Sequence, residues 1–398
     1  MSDLPRITVL GVGADGLPDL AVRRLRAAEV VVGGARHLAM VPDDVSAERV
    51  PWPSPLRAGL PALLERYAGR DVVALASGDP MMSGIGTTLV ELLGADAVRI
   101  EPAVSSVALA RARMGWSSES SAVVTVVGRD PHAVLRELAP GRRVLVLSSD
   151  ADTPATLAGL LVEQGYADSA MAVLGDLGAA GESRVDATAA NWVGPASALN
   201  VVALDLRGPV VGSWVAGLPD DVFEHDGQLT KRDLRASALA RLAPQPGQLL
   251  WDVGAGAGSV GVEWLRAHPT CEALAVEQDQ ERADRVGRNA ARLGVPHLQV
   301  VRGRAPDALA DLAAPDAVFV GGGATAPGLL DLCRDRLRPG GRLVVHGVTL
   351  ETEALLAAAY AEHGGELTRL AVEQAAPIGS FTGWSPARTV TQWTWSKP

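Results

Sequence analysis

Residues 250–261 run Leu-Trp-Asp-Val-Gly-Ala-Gly-Ala-Gly-Ser-Val-Gly, and their reading decides the fold. An apolar run ends in Asp252, three glycines follow at Gly254, Gly256 and Gly258, and a helical pattern then begins. A strand that turns tightly into a helix sets backbone N–H groups at the helix start beside a ligand. The acidic residue before the glycines selects among nucleotide-type ligands. A dinucleotide would bring its pyrophosphate up to that carboxylate and be repelled. S-adenosylmethionine has no phosphate and carries an ammonium and a sulfonium, so Asp252 suits it. The stretch therefore predicts a methyltransferase site. A Rossmann dehydrogenase and a glycine turn used only for packing are the alternatives.

The flanking segments continue the alternation. A second strand over 273–278 holds Glu277, near the ~20-residue spacing at which an acidic group meets a ribose diol. A helix pattern covers 281–293, a strand covers 298–302 and leads to Gly303, and another over 316–320 runs into Gly321-Gly-Gly323. The segment from Leu337 to His346 closes a helix and opens a fifth strand. Strands and helices alternating at these lengths mean βαβ units and a largely parallel sheet.

A second glycine turn lies upstream. A short strand over 7–10 meets Gly11-Val-Gly13-Ala-Asp-Gly16, followed by a helix pattern through 28. Strands over 30–32, 71–76 and 98–100 follow, the second breaking at Ser77-Gly78-Asp79-Pro80 and the third leading through Pro102 to Ser105-Ser106 and a helix ending at 114. Further strands are expected over 122–127, 143–147, 170–174 and 199–206, with helices over 131–138 and 153–163. This half is also α/β, without the acidic residue before its glycines. Periodicity fades through Gly208-Pro209 and Gly217-Leu-Pro219, which predicts a linker over 208–226 between domains at 1–207 and 227–398. Thr230 is expected to cap a helix running to 242.

Composition bounds the rest. At 398 residues the chain exceeds one ordinary core, so two domains are expected. No apolar run approaches the ~20 residues of a membrane span, and the start lacks the pattern of a secretory signal; a cytoplasmic protein is expected. Cys271 and Cys333 stand far apart without metal-type spacing, so neither a disulfide framework nor a metal site is expected. A net charge of −10 argues against a broad nucleic-acid surface. An anionic small substrate would need a local cluster of cations.

Residues 1–206 resemble the cobalamin-pathway branch of the tetrapyrrole methylases, through Gly11-Val-Gly13, Val32-Gly-Gly-Ala-Arg36-His37-Leu38, Ser77-Gly-Asp-Pro80, Pro102-Ala-Val-Ser-Ser106 and Ala110-Arg111-Ala-Arg113. Residues 226–398 resemble the class I methyltransferase and decarboxylase of the same pathway. There the matches are Leu229-Thr-Lys-Arg-Asp-Leu-Arg235, Trp251 to Ser259, Gly303-Arg-Ala-Pro306, Pro315 to Gly322 and Val348-Thr-Leu-Glu-Thr352. The resemblance implies a two-lobed tetrapyrrole methylase fold joined to a Rossmann-like domain with a mostly parallel seven-stranded sheet. It implies methylation of a precorrin at C5 by the first domain, and at C15 by the second with loss of CO2 from the ring C acetate. S-adenosylmethionine would be the methyl donor, a small-molecule tetrapyrrole the substrate, and a homo-oligomer the assembly. Two departures are present: Ala14-Asp15 stands where the family usually has a proline after Gly13, and His346-Gly347 where relatives often show Asn-Ala.

Site candidates follow from both readings. For the cofactor they are Gly11, Gly13, Gly78, Asp79, Pro80, Ser105 and Ser106 in the first half. In the second they are Asp252, Gly254, Gly256, Gly258, Glu277, Gly303, Ala305 and Gly321. Arg36, Arg111, Arg113, Lys231, Arg232 and Arg235 are candidates for the carboxylates of the substrate, because arginine pairs with them in bidentate fashion. His346 is a further candidate, as it follows the fifth strand. No Ser-His-Asp or paired-carboxylate arrangement stands out. The meso carbons of a reduced tetrapyrrole are already nucleophilic, so placement supplies most of the catalysis. The competing readings are an RNA methyltransferase, a nicotinamide-dependent oxidoreductase and a non-catalytic scaffold.

Overall fold

The computed structural model describes residues 7–14, 16–210 and 212–398. The chain divides into two compact units, residues 1–129 with 140–209, and residues 130–139 with 210–398. The first holds two sheets. Strands β1 (Ile7–Val12), β2 (Val30–Gly33), β3 (Glu48–Pro51), β4 (Val72–Ser77) and β5 (Val98–Glu101) form a parallel sheet in the order β3-β2-β4-β1-β5. Alternate residues bury on opposite faces: Ile7, Val9, Val72 and Ala74 on one, Leu10, Val12, Val73 and Leu75 on the other. A sheet covered on both faces needs such continuous apolar runs.

The second sheet joins β6 (Ser121–Thr125), β7 (Arg143–Leu147), β8 (Ala170–Gly175), β9 (Ser183–Thr188) and β10 (Asn200–Asp205) in the order β6-β7-β10-β8-β9. Here only β6–β7 is parallel. The expected two-lobed α/β unit is present, with β3 and β9 added to the strands read from sequence. Each is an edge strand with one face in solvent; in β3 only Val50 is buried.

The C-terminal unit carries β11 (Leu249–Val253), β12 (Glu272–Glu277), β13 (Gln299–Arg302), β14 (Ala317–Val320), β15 (Arg342–Gly347), β16 (Glu366–Leu370), the hairpin β17 (Glu373–Ile378) and β18 (Phe381–Pro386), and β19 (Val390–Ser396). Its seven-stranded sheet runs β13-β12-β11-β14-β15-β19-β16, parallel as far as β15, with β19 antiparallel to both neighbours. Leu250, Ala275 and Phe319 pack on one face and Trp251, Val276, Val318 and Trp393 on the other.

Three local expectations are corrected. The expected linker is anchored in part: Leu218 and Phe223 are buried, and the Gly217 and Leu218 N–H groups donate to Glu263 at 2.6 and 2.9 Å. Thr230 does not cap the helix Arg232–Leu242; Lys231 holds that position without a side-chain bond, and the Thr230 carbonyl accepts from Arg235. Trp393 packs in the sheet as expected of the late tryptophans, and Trp395 lies against that core, but Trp384 stands on the hairpin, 70% exposed.

Candidate active sites

A cleft of ≈1040 Å³ opens at the C-terminal ends of the parallel strands in the C-terminal unit. That is where open α/β sheets receive ligands. Gly254, Gly256, Glu277, Gly303, Ala305 and Gly321 line it, together with Lys231 and His346. Gly254 and Gly256 adopt φ of +69° and +59°, and a Cβ on Gly256 would stand 2.8 Å from the Gln228 carbonyl oxygen. Only glycine fits there without displacing backbone.

The loop spends its N–H groups on itself. Gly254 and Ala255 donate to the Val276 carbonyl at 3.0 and 3.2 Å, and Gly258 donates to Ala255 at 2.8 Å. Gly256 donates to Glu277 Oε2 at 2.9 Å, while Asp279 donates to Oε1 at 3.0 Å. Glu277 is thus oriented by two backbone donors with its carboxylate at the cleft wall. These donors do not face a ligand as the motif alone predicts. Gly258 stands behind the loop, against Val286.

Asp252 takes a different place from the expected one. It lies inside β11, and the two-residue period of a strand turns it to the face of Leu250 and the helix Ser259–Ala267. It is 1% exposed, does not line the cleft, and accepts from the Gly261 N–H at 2.9 Å. Burial pushes its carboxyl up to about 7, opposed by the Gly261 N–H and reinforced by the negative charge of Glu277.

The cationic candidates divide sharply. Arg235 is fully buried and structural: it pairs with Glu263 at 2.5 Å, reaches Asp220 at 3.2 Å, donates to the carbonyls of Thr230 and Leu218, and stacks over Phe223. Arg232 is exposed and outside the cleft lining. Lys231 does line it, half exposed, with its nearest carboxylate at Asp220, 3.8 Å away. His346 lines it as well, bonded through Nε2 to Gln392 at 2.9 Å and set edge-on to Phe319. Burial lowers its pKa to about 4, so the imidazole is neutral at physiological pH. Arg304 and Arg388 also line the cleft, exposed. Neither is a candidate from sequence: Arg304 lies within the Gly303–Pro306 motif, whereas nothing around Arg388 marks it.

In the N-terminal unit, Gly11 and Gly13 line a cleft of ≈610 Å³ with Gly16, Glu101, Pro102, Ala103 and Gly178. A Cβ on Gly11 would stand 2.1 Å from the Gly78 carbonyl and 2.3 Å from the Ala103 nitrogen. The first glycine is therefore a point where three loops meet. Gly78 donates to Val12 and accepts from Ala103, which ties the Ser77–Pro80 loop behind the turn. Asp79 organises its own loop by accepting from the Met81 N–H at 2.9 Å, and Pro80 packs under Gly84 and Gly86. Ser105 is the N-cap of the helix Ser106–Met114, its Oγ accepting from Ala108 at 3.1 Å. Neither Gly78, Asp79, Pro80, Ser105 nor Ser106 lines the cleft. Asp15, in the loop that departs from the family pattern, lies outside the described residues.

The N-terminal arginines are also engaged. Arg111 donates to Ser121, and Arg113 pairs with Glu182 at 2.5 Å. Glu182, held down to about 2 mainly by Arg113, accepts from the Gly178 N–H and so fixes a wall of the cleft. Arg36 donates to Ser77 Oγ at 3.0 Å beside His37, whose Nε2 lies 3.1 Å from the same hydroxyl. Among the described residues no His, Cys, Asp and Glu group could hold a metal ion, and no helix is long and apolar enough to cross a membrane.

Comparison with known proteins follows this division. The tetrapyrrole (corrin/porphyrin) methylase family matches residues 6–192, and the precorrin methyltransferase domain matches residues 221–397. A precorrin-6Y C(5,15)-methyltransferase (decarboxylating) from Sinorhizobium sp is 45% identical over 99% of this chain and 97% of its own. The chain belongs to that family. Its counterpart from Mycobacterium tuberculosis is 46% identical over 98% of this chain and 100% of its own. The crystal structure of the C-terminal domain of the Rhodobacter capsulatus protein is 45% identical, covering 47% of this chain and 100% of that one, with a TM-score of 0.45. Family membership makes the chain a decarboxylating methyltransferase, with one of the two clefts described above in each of its units.

Proposed function

We propose that this chain transfers methyl groups from S-adenosylmethionine to C5 and C15 of precorrin-6Y and removes CO2 from the ring C acetate, giving precorrin-8 in cobalamin biosynthesis. The observation that carries the reading is the pairing of two glycine-turn clefts with likeness to C(5,15)-methyltransferases over nearly the whole chain. The N-terminal cleft is assigned C5, and the C-terminal cleft C15 and the decarboxylation.

The residues fit the methyl donor. Glu277 presents a fixed carboxylate beside a loop that allows close backbone approach, and Gly303 and Ala305 continue the same wall. Drug-sized ligands occupy about 300–1,000 Å³. A cleft of ≈1040 Å³ is therefore large enough to take a nucleoside and part of a macrocycle together. When bound, the donor supplies an electrophilic methyl group. The chain's own work is to hold the nucleophilic meso carbon in line with it and to exclude water, since proximity and orientation supply the catalysis. Cytoplasmic location and self-association belong to the same reading.

Incubation of the full chain with S-adenosylmethionine and precorrin-6Y, read by mass spectrometry, tests it. Two methyl groups gained with one CO2 lost is the expected product. Glu277→Ala should leave a singly methylated acid from the N-terminal site. An unchanged substrate mass would refute the assignment.

A further inference from the structure

The C-terminal cleft has two chemically different halves. The order β13-β12-β11-β14-β15-β19 places Ala305, Glu277 and Gly256 at one side and Thr325, His346, Val348 and Arg388 at the other. Among the described residues Glu277 is the sole carboxylate of the lining, and it belongs to the first side, where Arg282 and the exposed Arg304 also line the cleft. The second side carries Arg388, in the turn before β19, and His346, Val348 and Val390 on its wall, and Lys231 also lines the cleft. Arg388 is exposed in the turn between β18 and β19, and among the described residues none makes a hydrogen bond or ion pair to its guanidinium. Most arginines of this unit are instead committed: Arg282 and Arg285 to Asp226, Arg241 to Glu366, Arg288 to Glu224, and Arg336 to carbonyls. In a chain of net charge −10, an arginine left without a carboxylate at the mouth of a cleft is available to an anionic ligand.

We propose that Arg388 and Lys231 bind the carboxylates that the tetrapyrrole keeps, and that the wall of His346, Val348 and Val390 takes the acetate that it loses. This rests on the methyltransferase reading above and assigns the substrate half of that cleft. The two tasks require opposite surroundings. A retained carboxylate gains from a bidentate cation throughout the reaction. A departing carboxylate spreads its charge as it breaks away, so a cation paired to it would stabilise the ground state more than the transition state and slow the step. In that step the bond from the acetate methylene to the carboxylate carbon breaks and CO2 leaves. The electron pair enters the conjugated ring imine of the substrate, making a C=C bond to the methylene. A proton from water then converts the methylene to methyl and returns the pair to the ring, so no oxidant is consumed. The wall meets this need: two aliphatic side chains and an imidazole that is 8% exposed, bonded to Gln392 and neutral.

The test uses the full chain with S-adenosylmethionine and precorrin-6Y. Arg388→Gln and Lys231→Gln should each raise KM for precorrin-6Y roughly 10- to 100-fold, the range set by loss of one charge-assisted hydrogen bond. Affinity for S-adenosylmethionine, measured by calorimetry, should stay within about twofold, because the cofactor half is untouched. Arg388→Lys should recover part of the loss. Val348 is 50% exposed and accepts a longer side chain, so Val348→Lys places an ammonium on the wall. It should slow CO2 loss by roughly tenfold or more while C15 methylation continues, accumulating a methylated acid. Val348→Met, of similar length and neutral, should slow CO2 loss several-fold less than Val348→Lys does. Unchanged KM in both the Arg388 and Lys231 variants, or equal effects of Val348→Lys and Val348→Met, would overturn the proposal while leaving the methyltransferase reading intact. A wild-type chain that converts no precorrin-6Y would overturn both.

Discussion

Replacing Asp252 by asparagine isolates the energetics of one buried proton. The carboxyl is 1% exposed, and burial pushes it up to about 7 from its ordinary value of 3.8. Between those two values the native state holds a proton that the unfolded chain releases. The contribution of this group is therefore full below the unfolded value and lost as pH rises through about 7. Three units at 1.36 kcal/mol each give about 4 kcal/mol lost between pH 4 and pH 8. Asparagine never ionises and keeps an oxygen to accept from the Gly261 N–H, so it mimics the protonated acid. Whatever constant cost the amide brings, Asp252→Asn should gain about 4 kcal/mol relative to wild type across that pH range. Urea titrations of cofactor-free protein at several pH values measure this, followed by the buried Trp251, Trp264 and Trp393 of the C-terminal unit. In a scanning experiment the same shift is roughly 10 °C for a unit of this size. A stability difference that stays flat from pH 4 to pH 8 would refute the reasoning, for it would mean that the carboxyl ionises as freely as in water.

Three further outcomes are expected. His346 has the opposite sign: its folded value near 4 lies below the ordinary value of 6.5, so its contribution is full above 6.5 and about 3 kcal/mol is lost as pH falls towards 4; His346→Gln should flatten that acid limb in the same urea titrations. Arg235→Met removes the partner of buried Glu263 and should cost about 3–5 kcal/mol by denaturant titration; KM for precorrin-6Y in the folded fraction should be unchanged, since Arg235 does not reach the cleft. Gly11→Ala forces a Cβ against two backbone atoms and should abolish C5 methylation, while mass spectrometry still shows one methyl gained and CO2 lost at the C-terminal site.

The fold was legible wherever burial on both faces leaves a continuous apolar run. β4 and β11 were visible within a residue or two of their ends because every residue but the last of β4 and every residue of β11 is buried. β3 and β9 were not, because edge strands with exposed faces carry Glu48, Arg49, Arg184 and Asp186 and show no apolar period. The glycine positions of the site were legible for a related reason: a left-handed turn or a close backbone approach restricts the residue type whatever the rest of the sequence does. The cations were not. Whether an arginine meets a ligand depends on which carboxylate or carbonyl the fold brings to it, and that pairing is long-range. Arg235 reaches Glu263 and Arg113 reaches Glu182 across segments that no local pattern links. Arg388 and Arg304 line the cleft without a hydrogen-bond or ion-pair partner for the guanidinium among the described residues.

The same long-range pairing decides the ligand class. A pyrophosphate at a glycine turn is held by several backbone N–H groups pointing outward. In the C-terminal loop Gly254, Ala255, Gly256 and Gly258 donate inward, to Val276, to Glu277 and to Ala255. A phosphate would find those donors taken and the carboxylate of Glu277 at the wall. A cationic ligand finds no such conflict. The dinucleotide reading thus fails on hydrogen bonds rather than on the spacing of the glycines. Asp252 is buried against the Gly261 N–H and does not line the cleft, whereas Glu277, which closes the loop, does.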